Sequence, residues 1–342
     1  MSPSGSEAPT DAQIRALPKA ELHVHVEGAV TTATIAAIAR RNGVDLGVDD
    51  PADLYRYQDL ADFLRVFDLV CRSLQTADDL HQVTFEALSI AAAAGVRYRE
   101  MFFSPTFLLR NAVAFAEIWA GIAAGIADAE AEHGIVCRMI LDVHKPDGPA
   151  AADELIDLAV GCDRDVLIGI GGDAGEIDVD LAAFAGPFAR ARQLGFRTTM
   201  HLGEEGPVDD IRIGLHDLGV ERIDHGFCVL DDVDVPAEVV ERRIPLTVCP
   251  TSNVSIGLVG SIEQHPIMQM RDAGVLVTVN SDNAEMFGID LADELCNMRD
   301  AFGLTMPDIE DLCLAEVDAS WTDHETKRRM RNDFLLEMEA RR

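Results

Sequence analysis

Apolar and polar positions along the chain switch repeatedly between two periods. Short β-type runs fall within 18–28 and at 96–103, 136–142, 166–171, 197–201, 222–225, 245–249 and 275–282. Longer stretches between them carry helical composition and spacing, at 31–42, 60–74, 78–94, 112–132, 150–160, 181–193, 208–218, 235–242 and 262–273. In 60–74 the apolar residues at 60, 63, 64, 67, 69 and 70 recur at helical spacing, so one face is apolar. Strands alternating with helices predict a parallel sheet. Eight units over roughly 300 residues fit a closed (β/α)8 barrel of the α/β class, a TIM barrel, better than an open doubly wound sheet. The segment 290–342 reads as a charged helical C-terminal cover, and residues 1–12 as a flexible N-terminal tail. With no linker and no internal repeat, residues 13–342 are expected to form a single domain.

Charge narrows the partners. Sixty acidic against 28 basic residues leave a net charge of −32, a field that repels a nucleic-acid backbone and an anionic membrane surface. A small neutral molecule is not excluded by it. The seven cysteines are scattered, with no C-x-x-C pair, which argues for a reducing compartment and against a thiolate metal site. There is no leader-type apolar segment at the start and no apolar run of about 18 residues, so a cytoplasmic location is expected.

Chemistry concentrates where a barrel places its active site, at the C-terminal ends of the strands. His23 and His25 flank one apolar residue, so in a strand both rings leave the same face. His201 closes the fifth run, His225 the sixth and Asp282 the eighth. Three imidazoles (His23, His25, His201) with Asp282 form a nitrogen and oxygen donor set suited to one Zn²⁺, leaving a position for water. Such an ion lowers the pKa of water to about 7. Glu204, three residues beyond a ligand, can give a proton to a ring nitrogen while the adjacent carbon is attacked, and His225 can hold the attacking oxygen.

The stretches Pro18-Lys19-Ala20-Glu21-Leu22-His23-Val24-His25-Val26-Glu27-Gly28, His201-Leu202-Gly203-Glu204, Ile223-Asp224-His225-Gly226, Cys249-Pro250-Thr251-Ser252-Asn253 and Asn280-Ser281-Asp282 resemble the adenosine/adenine deaminase family of metal-dependent amidohydrolases. The likeness runs in the same order over about residues 14–300. It implies hydrolytic loss of the 6-amino group of a purine, with release of ammonia. His23, His25, His201 and Asp282 would be the metal ligands, Glu204 the proton donor, and His225 with Asp282 the residues orienting and deprotonating water. Leu60, Phe63, Leu64 and Phe67 would form the lid, and His25, Glu27, Gly203, Asn283 and the backbone of Ala174 or Gly175 would touch the substrate.

Substrate choice is less uniform along the chain. Glu27 matches members acting on free adenine, whereas Ser104-Pro105 matches the adenosine branch and 169–176 fits neither. Asn283 stands where the family usually has a second Asp, and it offers both a donor and an acceptor. Adenosine, adenine and an adenosine with a large 5′ substituent are all compatible with these features.

Competing readings are weaker. The Gly169-x-Gly171-x-x-Ala174 spacing follows the fourth run without an acidic partner downstream, against a dinucleotide fold. The second half of a cytidine-type deaminase signature, P-C-x-x-C, is missing. A dihydroorotase-like site would need a bridging lysine, for which Lys145 is the only candidate. A decayed, purely binding scaffold would have lost a ligand or the acid, and all six core residues are present. His144 closes the third run, while His81, His133, His216, His265 and His324 read as surface or packing residues.

Overall fold

The computed structural model describes residues 8–58 and 60–341. Residues 1–7 of the expected tail and the side chain of Leu60 in the expected lid lie outside the described residues. Within the stretch read as tail, Thr10 already caps a helix, Asp11–Ala16, through a reciprocal capping box with Gln13.

Eight parallel strands follow one another in sequence order: β1 (Lys19–Glu21), β2 (Val96–Phe103), β3 (Val136–His144), β4 (Leu167–Asp173), β5 (Arg197–Leu202), β6 (Arg222–His225), β7 (Leu246–Val248) and β8 (Val277–Val279). Helices occupy the connections, giving the expected (β/α)8 barrel. Alternate residues of each strand face the packed interior or the helical shell, which is why the runs read as almost continuously apolar.

The seam between β8 and β1 lies beyond the regular strands. There His25 N donates to Asp282 O at 2.9 Å and Asp282 N to His23 O at 3.1 Å. Below them, Asn280 Oδ1 accepts from the backbone of Leu22 at 2.9 Å and of His23 at 3.0 Å. The seam therefore fixes the backbone of His23, His25 and Asp282 relative to one another.

Several helices depart from the sequence expectation for local reasons. Pro266 divides the expected 262–273 helix into a short turn, Ile262–Gln264, and a helix, Ile267–Asp272. The expected 208–218 helix is α-helical over Val208–Ile213 and widens to a π-turn over Gly214–Leu218. The C-terminal segment is three helices, Leu291–Phe302, Met306–Ala319 and His324–Ala340. The middle one packs against β1 and β8 and is mostly buried, so it is the barrel's own cover over the seam. Its Glu316 Oε1 accepts from Val279 N at 2.7 Å. Among the described residues no helix is long and apolar enough to cross a membrane.

Candidate functional site

The strand ends bring His23, His25, His201, His225 and Asp282 to one point. Ring centroids of His23 lie 4.8 Å from His201 and 4.8 Å from His225, and those of His25 and His201 are 5.3 Å apart. Asp282 Oδ1 sits 3.6 Å from His23 Nε2 and 3.5 Å from His25 Nε2. His225 and Asp282 both adopt left-handed backbone angles, φ 61° and 58°. Such angles are strained for residues with a Cβ and turn these two side chains off the ends of their strands.

The hydrogen bonds behind the rings decide what the rings offer. Thr247 Oγ1 donates to Asp224 Oδ1 at 2.9 Å, so toward His23 Nδ1, 3.0 Å away, it can only accept. The His23 proton therefore lies on Nδ1, and its buried Nε2 has a free lone pair and no partner. His201 Nδ1 donates to the carbonyl of Gly172 at 2.9 Å, which again leaves Nε2 bare. His25 Nδ1 faces Asp142 Oδ2 at 3.7 Å, and its Nε2 lies 3.3 Å from that of His201. Two imidazole lone pairs converging with a carboxylate oxygen at such distances, unpartnered and buried, are a donor set that a metal ion satisfies. Burial disfavours ionisation of Asp282, but the contact with His23 and the surrounding imidazoles outweighs it and holds the carboxyl below its usual range. Ser252 Oγ and Asn283 Nδ2 donate to its two oxygens at 2.6 and 2.7 Å.

Glu204 is carried by the loop after β5. That loop is tied down by Glu176, whose Oε2 accepts from Gly203 N at 2.9 Å and Gly206 N at 3.0 Å, and whose Oε1 accepts from Glu204 N at 3.0 Å. The Glu204 carboxyl points back to the cluster, with Oε1 3.4 Å from His225 Nδ1 and 3.0 Å from Asn253 Nδ2. Burial, then the nearby charges of Asp282 and Glu176, push it well above the ordinary carboxylate range, toward the protonated form. Burial and His23 together keep His225 neutral.

A cavity of about 320 Å³ opens above these groups. Its outer wall is aromatic. Phe63 and Phe67 descend from the helix Leu60–Ser73, Phe107 and Phe287 face them, and Leu64, 42% exposed, sits at the mouth. Phe63 and Phe287 stack at 5.2 Å. Ala174, Gly175, His25, Asn283 and His144 also line the cavity. Two of the expected substrate contacts do not reach its wall. Gly203 supports Glu204 through Glu176, and Glu27 lies fully buried, its Oε1 accepting from Ser104 N at 2.8 Å. Gly28 has no alternative, because a Cβ there would stand 2.0 Å from Asn283 Oδ1.

Sequence reasoning missed several members of the site. Asp142 on β3 faces His25 Nδ1 at 3.7 Å, and Glu176, in the loop after β4, holds the backbone of Glu204. Asp173 lines the cavity, and its Oδ2 accepts from Ser104 Oγ at 2.5 Å. Carboxylates at the end of the run 136–142 and just beyond the run 166–171 were the available signal. Lys145 is not free to bridge metals, since its Nζ donates to the carbonyl of His201 at 2.8 Å. Among the described residues the cavity wall contains no lysine or arginine.

Comparison with known proteins agrees with this geometry. The family model for adenosine deaminase matches residues 18–335. An adenine deaminase of Streptomyces coelicolor is 36% identical over 95% of this chain and 96% of its own, and one of Vibrio parahaemolyticus is 32% identical over 94% and 96%. The crystal structure of an adenine deaminase from Arthrobacter aurescens superposes with a TM-score of 0.90 at 32% identity, covering 94% of this chain and 99% of that one. An amidohydrolase from Burkholderia ambifaria with bound Zn does so at 0.92 and 31%, covering 99% and 96%. With eight strands converging on this cluster, and a match that spans almost its whole length, the chain belongs to the adenosine deaminase family.

Proposed function

We propose that the protein is a zinc-dependent hydrolase that replaces the 6-amino group of an unphosphorylated 6-aminopurine by oxygen, with adenine its first candidate substrate. One observation carries the reading: Glu204, with Oε1 3.4 Å from His225 Nδ1, and a convergent His/Asp donor set meet at the floor of a single cavity. His23, His25, His201 and Asp282 would hold the ion. When bound, it supplies Lewis-acid activation that lowers the pKa of water to about 7.

The chain's own residues do the rest. Glu204 donates its proton to N1 of the purine, which draws electrons from C6 and makes that carbon electrophilic. His225, neutral and beside Glu204, holds the attacking oxygen by hydrogen bond. Asp282 takes the proton that the water loses and passes it to the departing amine. The C6–O bond forms and the C6–N bond breaks; the proton left on the C6 oxygen returns to Glu204, and the products are a 6-oxopurine and ammonia.

Strand order supports one orientation of the base. With N1 at Glu204 after β5, the adjacent C6 faces His225 after β6, and N7 then falls toward Asn283 after β8. The N3 edge meets Ala174 and Gly175 after β4. The aromatic collar of Phe63, Phe67, Phe107 and Phe287 excludes water above the ring, which strengthens every charged contact beneath it. A wall with several carboxylates and no lysine or arginine has nothing to neutralise a phosphate, so nucleotides are disfavoured. The curated relatives at 32–36% identity are adenine deaminases, which favours the free base over its nucleoside.

Ammonia release from adenine, adenosine, 2′-deoxyadenosine, 5′-substituted adenosines and AMP tests this directly. Turnover of adenine with none of AMP is expected. A zinc-loaded protein silent on every 6-aminopurine would overturn the reading.

A further inference from the structure

We propose that His265 is a positioning residue that fixes where the protons of Glu204 and His225 sit, acting through Asn253. The inference rests on the roles assigned above to Glu204 and His225, but its geometry is independent of any substrate.

His265 lies between the turn Ile262–Gln264 and the helix Ile267–Asp272, and is 2% exposed. Its ring packs against Phe227 with centroids 5.5 Å apart. The backbone nitrogen of Ile267 lies 3.2 Å from Nδ1, and a backbone N–H can only donate. Nδ1 must therefore be bare, and the proton of the neutral ring lies on Nε2. Burial, which lowers the pKa of this ring to about 4, keeps it neutral at working pH.

The consequence passes along a chain of forced choices. His265 Nε2–H points to Asn253 Oδ1 at 3.3 Å, and among the described residues this oxygen has no other side-chain donor. The Asn253 amide is thereby oriented with oxygen outward and nitrogen toward the cavity. Its Nδ2 carries two hydrogens and has two partners, Glu204 Oε1 at 3.0 Å and His225 Nδ1 at 3.3 Å. Both partners become acceptors. The proton of His225 is then on Nε2, away from Asn253, and the bond to Oε1 favours a Glu204 proton on Oε2.

Reversal of the amide would present its oxygen as an acceptor to both groups, drawing the Glu204 proton onto Oε1 and the His225 proton onto Nδ1. One backbone N–H of Ile267 thus selects the reactive microstate of two residues on other strands. Neither Asn253 nor His265 needs to touch the substrate for this.

The test compares His265→Met, which fills the space without a donor, with His265→Gln, whose amide nitrogen can stand in for Nε2–H. Metal content, KM and kcat for adenine, and the tautomer of His225 by nitrogen NMR are measured in each. Zinc content and KM should stay within about twofold in His265→Met. Its kcat should fall about tenfold or more, a fraction of what acid–base catalysis contributes. His265→Gln should restore most of kcat, and the His225 signal should move only in His265→Met.

Equal kcat in wild type and His265→Met, or equal losses in both variants with an unmoved His225 signal, would overturn the proposal. Should His265→Met fail to fold, Asn253→Asp gives the same readout. It keeps the acceptor for His265 and removes the donors to Glu204 and His225, so an unchanged His225 tautomer there contradicts the relay. If the wild type releases no ammonia from any purine, the functional reading fails, while the His225 tautomer still judges the relay.

Discussion

Glu204, His25 and His225 owe their geometry to side chains that are distant in sequence. Asp142 on β3 is the clearest case: it is fully buried, neither of its oxygens has a hydrogen-bond partner, and its Oδ2 faces His25 Nδ1 at 3.7 Å. A carboxyl group that closes to hydrogen-bond distance there would set the tautomer and plane of a ligating histidine, and loss of such a partner typically weakens metal binding about 10–100-fold. Asp142→Ala is expected to show that loss in a chelator competition, without a lower melting temperature for the metal-free protein, because a buried unpartnered carboxyl is itself unfavourable. Unchanged affinity would remove Asp142 from the site. At this scale the His-x-His pair, His201, Glu204, His225 and Asp282 were legible, since a polar residue at the end of an apolar run stands out. Asp142, Glu176, Asn253 and His265 were not legible as site residues. Their meaning lies in what they face across the barrel, and nothing in the local spacing of His265 distinguishes it from a packing histidine.

Elements position the site as units, and their ends matter more than their middles. The short helix Pro250–Ser255 carries Ser252 to Asp282 and Asn253 to Glu204. Its start is anchored by Glu294 of the helix Leu291–Phe302, whose Oε1 accepts from Thr251 N at 2.8 Å and whose Oε2 accepts from Thr251 Oγ1. Burial raises the pKa of Glu294 to about 7 from 4.5, against the opposing pull of the Thr251 bonds. The folded state then holds a proton that the unfolded chain has already lost, so stability from this group falls as pH rises from about 4.5 to about 7. The full swing is about 3 kcal/mol. Glu294→Gln should flatten that part of the stability–pH curve, measured by denaturant unfolding at several pH values. A curve of unchanged slope would show that Glu294 is ionised in the fold. The helices 235–242 and 60–74 were readable from apolar spacing. Pro266 marks a break that periodicity alone overrode, and the π-turn at Gly214–Leu218 carries no sequence signal distinct from a helix.

The whole molecule is a barrel whose closure and chemistry coincide. The backbone bonds between His23, His25 and Asp282 complete the sheet and at the same time bring the two ends of the proposed metal set together. The eight-fold alternation of runs made this architecture legible. The seam was not, because the strands flanking it, Lys19–Glu21 and Val277–Val279, are short and rely on Asn280 and on the helix Met306–Ala319. A ligand that binds only the folded state stabilises it in proportion to the logarithm of its free concentration over Kd. Removing the metal should therefore lower the melting temperature, and adding zinc back should restore it. An identical melting temperature with and without the ion would separate the seam from the metal set.

In the proposed reaction water replaces the 6-amino group, with Glu204 as proton donor. Incubating the zinc-loaded protein with adenine in heavy-oxygen water tests it most directly, with ammonia and the label at position 6 measured together. The wild type should give one ammonia per labelled 6-oxopurine, and Glu204→Gln should keep its zinc while turning over about 10²–10⁴ times more slowly. An unlabelled product would rule out hydrolysis at position 6, and full turnover by Glu204→Gln would rule out Glu204 as the proton donor.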